Sequence, residues 1–304
     1  MTDGLVRDTW QDPWLVQQGY QRHLLQVAYG DLLLGRLLDR LKATGSYDQS
    51  LVAVVADHGA SFVAGGNRRT VTRENIADIA RVPLLIKYPG QRVGRRDARA
   101  ARTIDILPPI AGVLGVRIPW AVDGRSLLEP AADLTPVVVS RQDGAPLRAS
   151  RREVERGMAS TLRRKSSLFG EGEDSLYELG SNKKLLGLPV AQMWTKASST
   201  ARVHFDGQEQ LADVRMSSLF VPTRITGYIE GTEIRPDVEL AVAVNGRIAV
   251  LTRCFRLDGQ QRFSALAPES FFRDGLNRVE LLAIDGTPAA PHLIRLGESS
   301  AEPE

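Results

Sequence analysis

Asp57 and His58 stand side by side, followed by Gly59, directly after the valine-rich run 50–56. A carboxylate and an imidazole in adjacent positions can both ligate a divalent cation, and the glycine lets the following loop turn tightly. A strand-ending aspartate also serves as a turn former or helix cap, so the triplet alone leaves both readings open. Arg68 and Arg69 follow Gly65 and Gly66 on a loop. A guanidinium can grip the oxygens of an anionic group bidentately, and the same pair also reads as a solvated basic loop. Asn75 reads as a helix cap, with substrate binding as the alternative. His23, beside Leu24 and Leu25, reads as a packed helix residue, while His204 and His292 are isolated on predicted strands and read as structural. Trp120 reads as an anchor between a sheet and its surroundings, with a stacking platform for a sugar as the alternative. Cys254 is the one cysteine, which excludes an internal disulfide and a cysteine-based zinc site.

The elements that must position these residues alternate in type. Apolar positions recur at three and four over 20–43, predicting an amphipathic helix that Gly45 stops. The run 50–56 has no polar alternation, which suits a strand buried on both faces of a parallel sheet. A second such run covers 82–88, a proline-tolerant helix 103–114, and a short strand 136–140. This part reads as α/β, a portion of a doubly wound sheet. Residues 141–200 form a basic connecting segment of net charge +4, with some helix and an ordered edge near 175–180. From 201 the period changes to two. The runs 238–244 and 247–253 flank Asn245-Gly246, a hairpin signal, because both residues tolerate the positive φ of a type I′ turn. Further strands are expected over 220–229, 261–266, 277–284 and 291–296, giving an antiparallel β-sandwich. The expected organisation is an α/β domain over 1–140, the connection over 141–200, a β-sandwich accessory domain over 201–297 and a tail over 298–304.

Composition bounds the function. The chain has 304 residues, 43% hydrophobic and 25% charged, with a net charge of +3. These values exclude disordered and collagen-like classes, and the charge is too small to argue for nucleic acid. No run approaches the roughly 20 apolar residues of a membrane helix, and no signal peptide is read at the N-terminus. The chain therefore reads as soluble.

The stretch 29–59, which carries D-L-L-L-G-R-L-L, then T-G-S-Y-D, then the strand and D-H-G, resembles the sulfatase branch of the alkaline phosphatase superfamily. R-V-P-L-L-I at 81–86, T-I-D-I-L-P-P at 103–109 and D-G-R-S-L at 123–127 are similar to further motifs of that branch, in the same order. The resemblance covers about residues 20–130 and not the β-rich part. It implies that Asp57 and His58 bind an active-site divalent metal, whether Ca, Mn, Mg or Zn, which polarises a sulfate or phosphate ester. It also implies a nucleophile and further carboxylate ligands upstream of the D-H-G strand. Among the 56 residues before Asp57 there is no C-x-P-x-R or S-x-P-x-R motif, and Asp3, Asp8 and Asp12 fall in an irregular leader. The segment 70–80, where the branch places a lysine and a tyrosine, has neither.

The sequence thus leads to a sulfatase-like, metal-dependent hydrolase of sulfate or phosphate esters. It is here a portion expected to lack the nucleophile, to be inactive alone and to bind metal weakly. Arg68 and Arg69 are the candidates to bind the anionic ester. One alternative is a phosphotransferase or phosphodiesterase of the same superfamily acting on lipid or glycan head groups; another is a non-catalytic interaction module. An open sheet edge further implies a homodimer or a complementing chain that covers it. The resemblance leaves the cellular location open, many such proteins being membrane-tethered.

Overall fold

The computed structural model describes residues 5–6, 8–129, 136–141, 144–172, 174–218, 220–287 and 290–298. It divides into two compact units, Met1–Gln11 with Gln26–Arg164, and Asp12–Leu25 with Lys165–Glu304. Of the expected tail, residues 299–304 lie outside the described residues, as does Asp3.

In the first unit, β1 (Leu5–Val6) and β2 (Thr9–Trp10) pair antiparallel. Asp8 turns between them at φ 68°, in the left-handed region that the short polar Asp tolerates better than most side chains. The leader is therefore not irregular at this point. Helix α1 (Pro13–Ala43) begins earlier than its apolar period suggests, because Asp12 caps it: Oδ1 accepts the amides of Trp14 and Leu15 at 2.8 and 3.0 Å, and Pro13 opens the first turn. The rest of the unit follows as β3 (Val52–Val55), α2 (Ile76–Ala80), β4 (Leu84–Lys87), α3 (Leu107–Leu114), β5 (Val137–Val139), β6 (Leu147–Ala149) and α4 (Arg151–Phe169), of which the residues from Lys165 on are assigned to the second unit. Helices and strands alternate, as in an α/β unit.

The pairing corrects the expected parallel sheet. β3 and β4 pair antiparallel, Val52 with Lys87 through Val55 with Leu84, and β5 and β6 also pair antiparallel. A continuous apolar run says that a strand wants cover on both faces; it does not say which strand lies beside it or in which direction. The cover is incomplete among the described residues, since Val55 and Leu85 are 40% and 60% exposed.

Two sequence motifs brace each other. Asp105 is buried and accepts the Arg102 guanidinium and the Arg125 amide, each at 2.9 Å. Burial opposes its ionisation, but the Arg102 guanidinium and these amides hold its carboxyl below the usual value. A Cβ at Gly124 would lie 1.9 Å from the Ile104 carbonyl oxygen, so only glycine permits this approach. Gly115, at φ 64°, ends α3 as a left-handed cap. A small core gathers Val71, Ile76, Ala77 and Ile79 with Ala149 and Val154. Trp120 is 65% exposed, so it does not serve as the expected anchor.

In the second unit, β7 (Thr195–Phe205), α5 (Gln208–Ala212), β8 (Arg224–Glu230), β9 (Glu239–Val244), β10 (Arg247–Leu257), β11 (Gln260–Leu266), β12 (Val279–Thr287) and β13 (Ala290–Glu298) follow in sequence. The seven strands close into one barrel in the order β10-β11-β8-β7-β13-β12-β9, where a sandwich was expected. Closure comes from β7, which pairs antiparallel with β8 on one side and parallel with β13 on the other. A period of two reports an inner and an outer face and is the same for a sandwich and a barrel. The Asn245-Gly246 turn forms as expected, with φ of 52° and 77°. Phe205, Phe263, Ile225 and Val242 fill the barrel, the two phenylalanine rings edge to face at 5.6 Å. The first half of α1 belongs to this unit, where the Trp14 indole donates to Thr252 Oγ1 at 3.2 Å and lies under the Arg253 guanidinium.

Candidate metal- and anion-binding loops

Both loops lie in the first unit. β3 ends at Val55, and Asp57 and His58 follow on the loop behind it with side chains 87% and 42% exposed. Asp57 Oδ1 accepts the His58 amide at 2.8 Å, which fixes the carboxylate. His58 Nδ1 lies 2.8 Å from the Gly59 carbonyl oxygen. A carbonyl can only accept, so Nδ1 is the donor of this contact, and in the neutral imidazole Nε2 is the nitrogen that offers a lone pair. That Nε2 is 3.6 Å from Asp57 Oδ2. With metal–ligand bonds of about 2.0–2.2 Å, one cation can touch both atoms at that separation.

Gly59 holds this loop in place. Its amide donates to the Ile79 carbonyl at 2.9 Å, and a Cβ there would lie 1.8 Å from the Asp78 carbonyl oxygen. The glycine is required by close approach to the backbone of α2. Asp78, whose side chain is 8% exposed, accepts the Ser61 hydroxyl at 2.7 Å and the Thr161 hydroxyl at 2.5 Å. The far side of the loop is thereby tied to α4.

The arginine loop is joined to the same assembly, because the Ser61 amide donates to the Arg68 carbonyl at 2.9 Å. Two side chains hold it. Asp8 Oδ2 accepts the amides of Arg69 and Thr70 at 2.9 and 2.6 Å. Burial raises the Asp8 pKa, but those amides and the Arg68 charge outweigh it and leave the carboxyl below its ordinary value. Asn75, 6% exposed, accepts the Thr72 amide at 2.7 Å and donates to the carbonyls of Asn67 and Thr70 at 2.9 and 3.0 Å. It stands at the start of α2 but makes no side-chain cap bond, so its role is to clamp this loop rather than the helix. The Arg68 guanidinium leans over the Trp10 ring at 5.9 Å, with Nε enclosed and lacking a hydrogen-bond partner among the described residues, whereas Arg69 is exposed. Trp10 is itself buried, its indole donating to the Ser61 carbonyl at 2.7 Å and its ring 5.6 Å from Phe62.

Asp8, Trp10 and Asn75 thus order the loops, although Asp8 reads in the sequence as part of an irregular leader, Asn75 as a cap, and Trp10 carries no signal there. Among the described residues no three His, Cys, Asp or Glu side chains gather to hold a metal ion, so Asp57 and His58 stand as a pair. Cys254 is no nucleophile: burial pushes its thiol up to about 12. No described helix is long and apolar enough to cross a membrane.

Both loops fall within a segment that is similar to known proteins. The Sulfatase family model matches residues 5–116. A 131-residue stretch is 31% identical to an ulvan-active sulfatase of Formosa agariphila, covering 40% of this chain and 25% of the relative. Over 109 residues, 35% of this chain and 21% of the relative, the chain is 35% identical to PehA, a multifunctional alkaline phosphatase superfamily protein of Trinickia caryophylli. It is 29% identical over 115 residues to an N-acetylglucosamine-6-O-sulfatase of Bacteroides thetaiotaomicron, covering 38% of this chain and 20% of that protein. The chain therefore spans a fifth to a quarter of the length of these curated relatives. No solved structure matches it. The matched segment, residues 5–116, belongs to the sulfatase branch of the alkaline phosphatase superfamily.

Proposed function

We propose that this chain contributes the metal- and anion-binding portion of a sulfate-ester hydrolase site. Asp57 Oδ2 and His58 Nε2 ligate one divalent cation. The arginine loop, with Arg69 exposed, holds the oxyanion of the ester. The observation that carries the reading is the D-H-G turn, where Nδ1 is turned onto the Gly59 carbonyl and Nε2 lies 3.6 Å from a carboxylate oxygen. When bound, the cation supplies Lewis-acid polarisation of the ester oxygens. The chain's own residues do the rest: Asp8 and Asn75 keep the arginine loop in register, and Gly59 keeps the ligand pair against α2.

Two ligands are fewer than the three or four of a typical catalytic site. The remaining ligands, the nucleophile and the strands that extend the β3–β4 pair into a doubly wound sheet come from a complementing segment, of the same polypeptide or another chain. Similarity to a multifunctional alkaline phosphatase superfamily protein supports a second reading, phosphoester hydrolysis at the same site.

The test is binding of inorganic sulfate and inorganic phosphate to the chain in the presence of Mn²⁺, read by isothermal titration. Sulfate is expected to bind weakly and only with metal present, with affinity lowered in Arg69→Ala and abolished in Asp57→Ala. Tighter phosphate binding would favour the phosphoester reading. Sulfate binding that survives both substitutions would overturn the assignment. The chain alone is expected to leave 4-nitrophenyl sulfate intact.

A further inference from the structure

Trp194 is 63% exposed on the second unit, immediately before β7. Singly exposed apolar side chains are common and need no explanation. This one differs in being held by a chain of specific contacts. Its indole meets the His292 imidazole edge to face, with centroids 4.9 Å apart and planes at 76°. His292 Nε2 lies 3.0 Å from Asp285 Oδ2, its cross-strand neighbour between β12 and β13. Asp285 Oδ1 accepts the Gly286 amide at 2.8 Å. That amide and the His292 contact keep the Asp285 carboxyl below its ordinary value. Gly286, at φ 89°, leaves room for the ring: a Cβ there would lie 2.8 Å from His292 Nδ1. The imidazole is therefore locked between backbone, carboxylate and indole, and it locks the indole in turn.

Lys196 lies two residues further along and acts electrostatically on Asp285. Its neighbour across the parallel β7–β13 pair is Ile294, two residues from His292. A flat, solvent-facing indole with an imidazole against it, and a carboxylate and the Lys196 side chain close by, matches the two needs of a pyranose ring. The apolar C–H face of the sugar stacks on the aromatic, and its hydroxyls reach hydrogen-bonding groups at the edge. Lys196, next but one to Trp194 along the chain, is the cationic group with which an anionic substituent on the sugar would pair, in competition with Asp285. A tryptophan exposed only by chance has no need of a glycine, an aspartate and a histidine to set its angle.

We propose that Trp194, with His292, Asp285 and Lys196, is a binding platform for an anionic saccharide on the barrel, separate in sequence from the ester-binding loops. The experiment uses the full chain in a Trp120→Phe background. Trp10 and Trp14 are buried, so Trp194 becomes the exposed fluorescent reporter among the four tryptophans. Chondroitin sulfate, its desulfated form and neutral dextran are titrated, with calorimetry in parallel. Chondroitin sulfate is expected to shift the emission saturably. Affinity should fall about tenfold or more in Trp194→Ala, fall less in Trp194→Phe, which keeps a stacking face, and weaken on desulfation and in Lys196→Ala. Equal affinity of wild type and Trp194→Ala would overturn the proposal. So would failure of all three polymers to bind, or a Trp194→Ala variant that loses only self-association in sedimentation.

Discussion

Asp8 and Gly59 each perform one task that no other residue type performs as well at that position. The Asp8 carboxylate satisfies two amides of the arginine loop at once. Asp8→Ala is expected to cost about 1–3 kcal/mol in urea unfolding, the usual range for hydrogen bonds to a charged group. Asp8→Asn should cost less, because an amide oxygen still accepts. The folded-state pKa of Asp8 lies below the ordinary aspartate value, so its contribution is present above the unfolded pKa and is lost as pH falls through the folded one. The stability gap between wild type and Asp8→Ala should therefore be constant near neutral pH and shrink below about pH 4. Gly59→Ala forces a methyl group against the Asp78 carbonyl. A loss of about 1–3 kcal/mol is expected, together with weaker Mn²⁺ binding, since the ligand pair must shift. A Gly59→Ala protein as stable as wild type would show that the α2 backbone yields freely.

At the scale of elements, what was legible in the sequence was local. The apolar runs announced β3 and β4, Gly115 and the prolines framed α3, and Asn245-Gly246 announced its turn. What was not legible depended on distant partners. Asp8 meets residues about sixty positions away, and nothing in its neighbourhood in sequence signals that. Asn75 was read as a cap because cap and loop clamp call for the same amide chemistry. Helix α4 was legible in principle: Ser150 and Glu153 form a reciprocal capping box, Glu153 accepting the Ser150 amide at 2.7 Å and donating its own amide to Ser150 Oγ at 3.2 Å. Charge density over 141–200 masked that signal. Barrel closure rests on the β7–β13 pairing, and no periodicity encodes it. The closed sheet makes Phe263, fully buried, a sensitive position. Phe263→Ala should cost about 3–5 kcal/mol in thermal unfolding. The same substitution at exposed Phe220 should cost little, and equal losses would contradict a barrel core centred on Phe263.

At the scale of the whole molecule, the first unit leaves much apolar surface open. Val27, Tyr29, Leu32, Leu33 and Leu37 of α1 are each 45% exposed or more, as is Leu85 of β4. Exposed apolar faces and unpaired strand edges attract other chains. The chain is expected to self-associate in sedimentation velocity at micromolar concentration, and Leu33→Glu with Leu37→Glu should shift it toward monomer. A wild-type chain that remains monomeric at every concentration would show that these faces need no cover.

The central claim is that Asp57 and His58 form one half of a metal site. Paramagnetic Mn²⁺ broadens ring resonances of nearby histidines, and the four histidines His23, His58, His204 and His292 serve as internal controls for one another. His58 is expected to broaden first and alone at low Mn²⁺, and that broadening should vanish in Asp57→Ala while His204 and His292 stay unchanged. Broadening at His58 that persists undiminished in Asp57→Ala, or that appears equally at all four rings, would contradict the pairing.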